Sequence, residues 1–236
     1  SISELIIDNL HSLNALDFSF NNLTNVNLSG NPGLTHLNCI RNQLSNLNLS
    51  NNTFLASLSC GENQISSLDL SMVDLEILQC QYNPITNIDL SGNYSLKHLT
   101  CHDNLLQQID LSDNVNLEWL SIGNAELMPP TTNSDLTALD LSNNFNVTNF
   151  YCSGNLNLIC IQICTSSDTS NWASLDSQMY YSLDCNYTSV DEVIFNKDDL
   201  ISIIDIYGRE VNQNYKGVLF YIYKNGKVEK RIILGK

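Results

Sequence analysis

The chain has 236 residues, of which 43% are hydrophobic and 15% charged, enough apolar content for a packed core in one or two domains. Its formal charge of −15 is unevenly placed: residues 1–190 hold two bases, Arg41 and Lys97, against 18 acids, whereas residues 191–236 hold eight bases and seven acids. This argues against nucleic acid as a partner, since phosphates need clustered Lys and Arg. No apolar run reaches the roughly 18 residues of a transmembrane helix.

The opening SISELIID is already repeat-like and shows no signal peptide, so the chain reads as a mature or truncated form. The wording L-x-x-L-x-C-x-x-N-x-L-x-x-L-x-L-S-x-N then recurs through most of the first 160 residues. Aligning its C-type position gives Phe18, Cys39, Cys60, Cys80, Cys101, Ile122 and Cys152, with steps of 20 or 21 residues and one of 30. A second ladder, Leu28, Leu49, Leu70, Leu90, Leu111 and Leu141, keeps the same steps. Two ladders in phase indicate a repeat architecture.

Each unit contains L-x-L twice, the alternation of a short strand. One unit is therefore expected to be one coil with two short strands and two turns. Stacked coils then give two parallel sheets about 4.8 Å per coil, with no room for a long helix. A single coil cannot bury enough to offset its backbone entropy, so stacking and end caps are required. Asn21, Asn42, Asn63, Asn83, Asn104 and Asn155 form a further ladder suited to repeated turns. The ladder breaks at Asn124 and Ala125, and AELMPPTTNSD with Pro129 and Pro130 is expected to be a bulged loop.

This wording resembles the nested 21-residue leucine-rich repeats, the IRREKO class, common in secreted Bacteroidetes proteins, over about residues 3–160. The resemblance implies a leucine-rich solenoid used for protein interaction or adhesion. From Leu158 to Cys185 the period dissolves, and Trp172, Leu175, Met179, Tyr180 and Tyr181 offer the large apolar groups that an end cap needs. Cys160 and Cys185 bracket this stretch and are the favoured disulfide pair, with Cys164 as the competing partner.

Residues 191–236 read as strands separated by turns, with Asn225-Gly226 as a hairpin signal. The phrases IIDIYGREV, KGVLFYIY and NGKVEKRII resemble the type A C-terminal sorting domain of the type IX secretion system, through Gly208, Arg209, Gly217, Gly226 and Lys230. The usual upstream Asn-Pro is absent. The resemblance implies contact with the secretion machinery and a secreted or outer-surface location. A small β module stabilising the solenoid's end is the plainer reading.

The overall expectation is a mainly β chain. Residues 1–157 form a leucine-rich-repeat solenoid of two-strand coils, 158–190 a C-terminal cap, and 191–236 a small antiparallel β domain.

The Cys ladder shares the phase of the leucines, so core packing is the expected role of Cys39, Cys60, Cys80 and Cys101. No metal signature is present. The outward carboxylates Asp69, Asp89, Asp110 and Asp140 could be relieved by Ca²⁺, or by solvation and screening. Variation concentrates on the outward face of the first strand and its turn, at His36, Arg41, Tyr82, His98, His102, Trp119 and Tyr151, and recognition is expected there. His98, His102 and Asp103 offer metal-binding groups, but their spacing lies on a strand and turn, which argues against a shared ion. No nucleophile triad, phosphate-cradling loop or zinc-protease motif occurs. Protein binding without bond making is the expected function. Carbohydrate stacking on Tyr82, Trp119 and Tyr151, an unfamiliar enzyme site, or a plain spacer are the alternatives.

Overall fold

In the computed structural model the described residues are 2–7, 10–123, 136–164, 166, 167, 169, 172, 176, 179–183, 185, 200–205, 209–211, 217–223 and 228–233. The chain divides into two compact units, Ser1–Tyr187 and Thr188–Lys236.

The first unit is a parallel β-solenoid without a helix among its described residues. Its main sheet has seven three-residue strands: β1 Ala15–Asp17, β2 His36–Asn38, β3 Ser57–Ser59, β4 Ile77–Gln79, β5 His98–Thr100, β6 Trp119–Ser121 and β8 Asn149–Tyr151. The strands pair in that order. The central residue of each points inward, and Leu37, Leu58, Leu78, Leu99, Leu120 and Phe150 stack directly in register. The flanking residues face outward, which puts one row of variable side chains on each side of the buried column.

The Cys-type column is buried throughout, from Phe18 to Cys152. Cys39, Cys60, Cys80, Cys101 and Cys152 are free thiols. Burial pushes Cys39, Cys80 and Cys152 up to about 12. These thiols are therefore protonated packing groups, interchangeable in the column with Phe18 and Ile122.

The Asn ladder ties one coil to the next. Asn42 Nδ2 donates to Phe18 O in the preceding coil at 3.0 Å and to Cys39 O in its own at 3.1 Å, while its Oδ1 accepts Leu23 N–H at 3.0 Å. Asn63, Asn83 and Asn104 repeat this pattern. Asn31, Asn52, Asn93, Asn114 and Asn144 form a second buried ladder beyond the one expected from the sequence. Asn52 Nδ2 reaches Asn31 O at 2.9 Å, and Asn144 Nδ2 reaches Asn114 O at 2.9 Å. Asn124, Ala125, Pro129 and Pro130 lie outside the described residues.

The expectation of two strands per coil requires correction. The second L-x-L segment is buried as foreseen, with Leu28, Leu49, Leu70, Leu90 and Leu111 in the core, yet it forms no strand before β7, Leu139–Leu141. Local bonds take its backbone instead. Asp69 Oδ1 accepts the Ser71 N–H at 3.0 Å, and Asn27, Asn48, Asp89, Asp110 and Asp140 repeat this on the residue two positions on. The Leu carbonyl that follows accepts the N–H three residues later, as in Asn52 N–H to Leu49 O at 2.9 Å. Side-chain caps and tight turns outcompete the extended ladder.

The repeat also persists further than its wording suggests. β9, Cys160–Ile163, stacks in parallel on β7 with Leu139 opposite Ile161 and Leu141 opposite Ile163, and β10, Tyr180–Ser182, stacks on β9. Trp172 closes the end: its Nε1–H donates to Val147 O at 2.9 Å, and its ring meets Phe150 and Tyr181 edge-on. Met179 is buried against Cys152, but Tyr180 is exposed and so does not serve the cap as expected. Leu175 lies outside the described residues. A disulfide joins Cys160 to Cys185, leaving Cys164 free.

The second unit contains an antiparallel sheet of β11 Leu200–Asp205, β12 Gly217–Tyr223 and β13 Val228–Ile233. Gly217 opens β12, Lys230 lies in β13 opposite Phe220, and Arg209 is exposed beside the Ile204 to Glu210 bridge. Gly208 and Gly226 lie outside the described residues.

Candidate functional site on the sheet face

Parallel register turns residues about 20 positions apart into neighbours. His98, Trp119 and Tyr151 stand on β5, β6 and β8, with ring centroids 6.4 Å apart for His98 and Trp119 and 5.3 Å for Trp119 and Tyr151. Trp119 is half-buried and Tyr151 is exposed. The three rings form a tilted aromatic platform across three consecutive strands. His36 shares the row of His98 but is separated from it by Ser57 and Ile77, and its Nδ1 lies 2.8 Å from Thr35 Oγ1.

Arg41, Tyr82 and His102 sit on the turn that follows the strand. There Phe20, Arg41, Glu62, Tyr82 and Asp103 take a left-handed backbone, with φ between 52° and 57°, uncommon for non-glycine residues. The ladder Asn next in sequence holds this turn by donating to the carbonyls two and three residues back, as Asn63 does to Gly61 O and Cys60 O. The left-handed residues thus make a second outward column.

Arg41 lies 5.5 Å from the Phe20 ring centroid and its Nε is 3.7 Å from Glu62. Tyr82 meets His102 edge-on at 5.1 Å, with Asp103 close by, whose Oδ2 lies 2.7 Å from His102 Nδ1. Burial, with Asp103 and Glu62 close by, pushes the Tyr82 phenol above its ordinary range. Phe20, Glu62 and Asp103 thus share the column of Arg41 and Tyr82, beyond the residues expected from the sequence. The signal for them was the second x of C-x-x-N, which holds the left-handed residue in every coil where it is described.

The expected residues therefore fall into two groups, with His36 apart from both. His98 is occupied with Trp119 and His102 with Asp103, and no group of three His, Cys, Asp or Glu converges among the described residues. On the opposite turn, each carboxylate of the Asp69, Asp89, Asp110 and Asp140 stripe is engaged through Oδ1 by a serine two residues on.

No protein-family model and no curated protein matches the chain. Among solved structures, the functional domain of InlJ from Listeria monocytogenes, which includes a cysteine ladder, superposes with a TM-score of 0.55 at 19% identity. The fold is a leucine-rich-repeat solenoid. That match covers 97% of the present chain and 63% of InlJ's. A leucine-rich-repeat protein of Leptospira interrogans gives a TM-score of 0.52 at 19% identity, covering 66% of this chain and 44% of that one. The present solenoid thus spans less than two thirds of either neighbour's length. Its own buried column of five free cysteines is laid out in the same kind of fold. No helix among the described residues is long and apolar enough to cross a membrane.

Proposed function

We propose that this chain binds a protein ligand through the outward face of its parallel sheet, with His98, Trp119 and Tyr151 as the anchor and His36, Arg41, Tyr82 and His102 along the adjoining rows. The carrying observation is the three-ring platform on β5, β6 and β8. Rigid, half-exposed aromatic groups contribute large contact area at low entropic cost and are frequent anchors of interfaces. The rigidity comes from the Leu and Cys columns beneath, so recognition would need little rearrangement and no bond making.

A carbohydrate is the second reading, favoured by the same platform: tilted rings 5.3 Å apart offer a stacking surface for a sugar face. Adhesion at the cell surface and export directed by residues 191–236 complete the proposal. They rest on the sorting-domain wording and agree with the antiparallel β11–β13 sheet.

Two experiments test it. Panels of immobilised extracellular proteins and of glycans should yield a saturable protein ligand whose binding falls about tenfold or more in Trp119→Ala. Sugar binding lost in that variant would instead install the carbohydrate reading. Expression in a host with type IX secretion, with and without residues 191–236, should show export of the longer form only. Equal export of both would remove the sorting role.

A further inference from the structure

The turn that leads into each strand carries a feature that the sheet face does not use. Tyr94, Val115 and Phe145 directly follow the buried Asn93, Asn114 and Asn144, and their side chains are 60%, 41% and 50% exposed. Asn116 Nδ2 donates to Tyr94 O and Asn146 Nδ2 to Val115 O, both at 3.0 Å, which fixes the three as neighbours on consecutive coils. The two preceding coils place Phe54 one position later and Met72 two positions earlier in their turns, with exposures of 70% and 55%. Tyr94, Val115 and Phe145 are thus aligned, and the turns of the two coils before them each expose a further large apolar side chain. Single exposed apolar residues are ordinary, but an aligned series of this kind marks an interaction surface.

The same turns bear the acids. Asp69, Asp89, Asp110 and Asp140 precede the apolar positions, Asp113 lies two residues before Val115, and Asp69 and Met72 line one shallow hollow of about 240 Å³ with Asn48 and Ser50. The two bases of residues 1–190 are already paired, Arg41 with Glu62 and Lys97 with Glu76. A second copy of the chain would bring another net −15 to this edge and be repelled.

We propose that this edge, from Phe54 to Phe145, docks a basic amphipathic helix of a protein partner. The apolar face of the helix would lie on Met72, Tyr94, Val115 and Phe145, and its Lys or Arg residues against the aspartate row. The spacing fits: a helix laid along the solenoid presents one apolar group per 5.4 Å turn, close to the roughly 4.8 Å between coils. Five coils span about 19 Å, the length of a helix of about 13 residues. This surface is separate from the sheet-face proposal and stands or falls without it.

The test uses the full chain and a fluorescent Lys/Leu helical peptide of about 14 residues, with a Glu/Leu peptide of the same pattern as control. Saturable binding of the Lys/Leu peptide is expected, weakening at about 0.5 M salt. It should weaken about tenfold in the Tyr94→Ser, Val115→Ser, Phe145→Ser combination and be unchanged in Trp119→Ala. The Asp89→Asn, Asp110→Asn, Asp113→Asn combination, which keeps the cap geometry, should lose the salt dependence. Absence of binding, equal binding of the Glu/Leu peptide, or an affinity unchanged from the parent chain in either combined variant would overturn the proposal. So would a concentration-dependent dimer that the serine variants abolish.

Discussion

The Nδ2 of Asn63 donates to the carbonyl of Cys39, one coil earlier, at 3.0 Å. The same amide holds Cys60 O and Gly61 O, and its Oδ1 accepts the Leu44 N–H at 3.0 Å. One side chain therefore satisfies backbone groups of two coils that water cannot reach. Asn63→Ala would leave the buried Leu44 N–H without its acceptor, while Cys39 O, Cys60 O and Gly61 O each keep a second donor in Asn42, Asn83 and the Arg41 N–H. The expected loss is about 1–3 kcal/mol of unfolding free energy, read by urea denaturation. The exposed Asn51→Ala, which loses one bond to Ser29 O, should change stability by less than about 0.5 kcal/mol.

Thiol chemistry separates column from cap. Cys39, Cys60, Cys80, Cys101 and Cys152 are buried and protonated, while Cys164 is partly exposed. Hydrogen bonds from the Ser166 and Ser167 hydroxyls lower the Cys164 thiol below its ordinary value. A disulfide-exchange reagent should label one thiol rapidly in the native chain and six after denaturation. The Cys164 rate should reach its plateau at lower pH than that of a free model thiol. Rapid labelling of two or more native thiols would contradict the packed column.

The aspartate caps make the solenoid acid-sensitive. The Ser71 hydroxyl, then the Ser71 N–H, hold Asp69 below the usual carboxylate range, and the Ser91 and Ser112 N–H and hydroxyl groups do so for Asp89 and Asp110. A folded pKa below the unfolded one means that the caps stabilise fully above the unfolded value of about 3.8, and that this is lost as pH falls through the folded value. Melting temperature should fall below about pH 4. Asp69→Asn, Asp89→Asn and Asp110→Asn together should flatten that fall, because Asn27 and Asn48 already fill the slot with an uncharged acceptor.

Coil spacing leaves no space behind Gly123. A Cβ there would overlap the backbone oxygen of Ser153 and lie 2.8 Å from its nitrogen. Gly123→Ala is expected to cost about 1–3 kcal/mol or to shift the neighbouring coil. Gly92→Ala, with nothing within 4 Å of the new methyl, should be near neutral. Equal melting temperatures for the two variants would show that the 123–153 contact is looser than described.

Reduction of Cys160–Cys185 opens a loop of 25 residues and is expected to cost about 3 kcal/mol, concentrated at the end of the solenoid. Hydrogen exchange should rise in β9 and β10 and stay unchanged in β3. Uniform protection loss would mean that the cap and the coils unfold as one.

Much of the fold was legible because a period of about 21 is a packing instruction. Any residue recurring in phase with leucine faces the core, so the sequence places the Cys ladder inside and the Asn ladder in the repeated turns; the burial of those Asn side chains is a finding of the structure. The second strand was misplaced for a definite reason. L-x-L fixes which side chains point inward, but not where the backbone N–H groups go. Asp69 and its equivalents claim them locally. The second Asn ladder was present in L-S-x-N, yet only the tight turn at the Leu carbonyl shows that its amides are buried.

The site divides in the same way. Sequence alone determined that the first strand and its turn carry the variable outward residues, because alternation exposes the positions beside each buried leucine. Which of them meet was decided by tertiary register. Parallel pairing puts Trp119 opposite His98, brings Tyr151 to it diagonally from its place opposite Ser121, sets Tyr82 against His102, and leaves His36 apart. A residue's own coil sets its direction, but the shift between coils sets its neighbours. That shift reflects hydrogen bonds and column packing summed along the stack, which no single repeat contains.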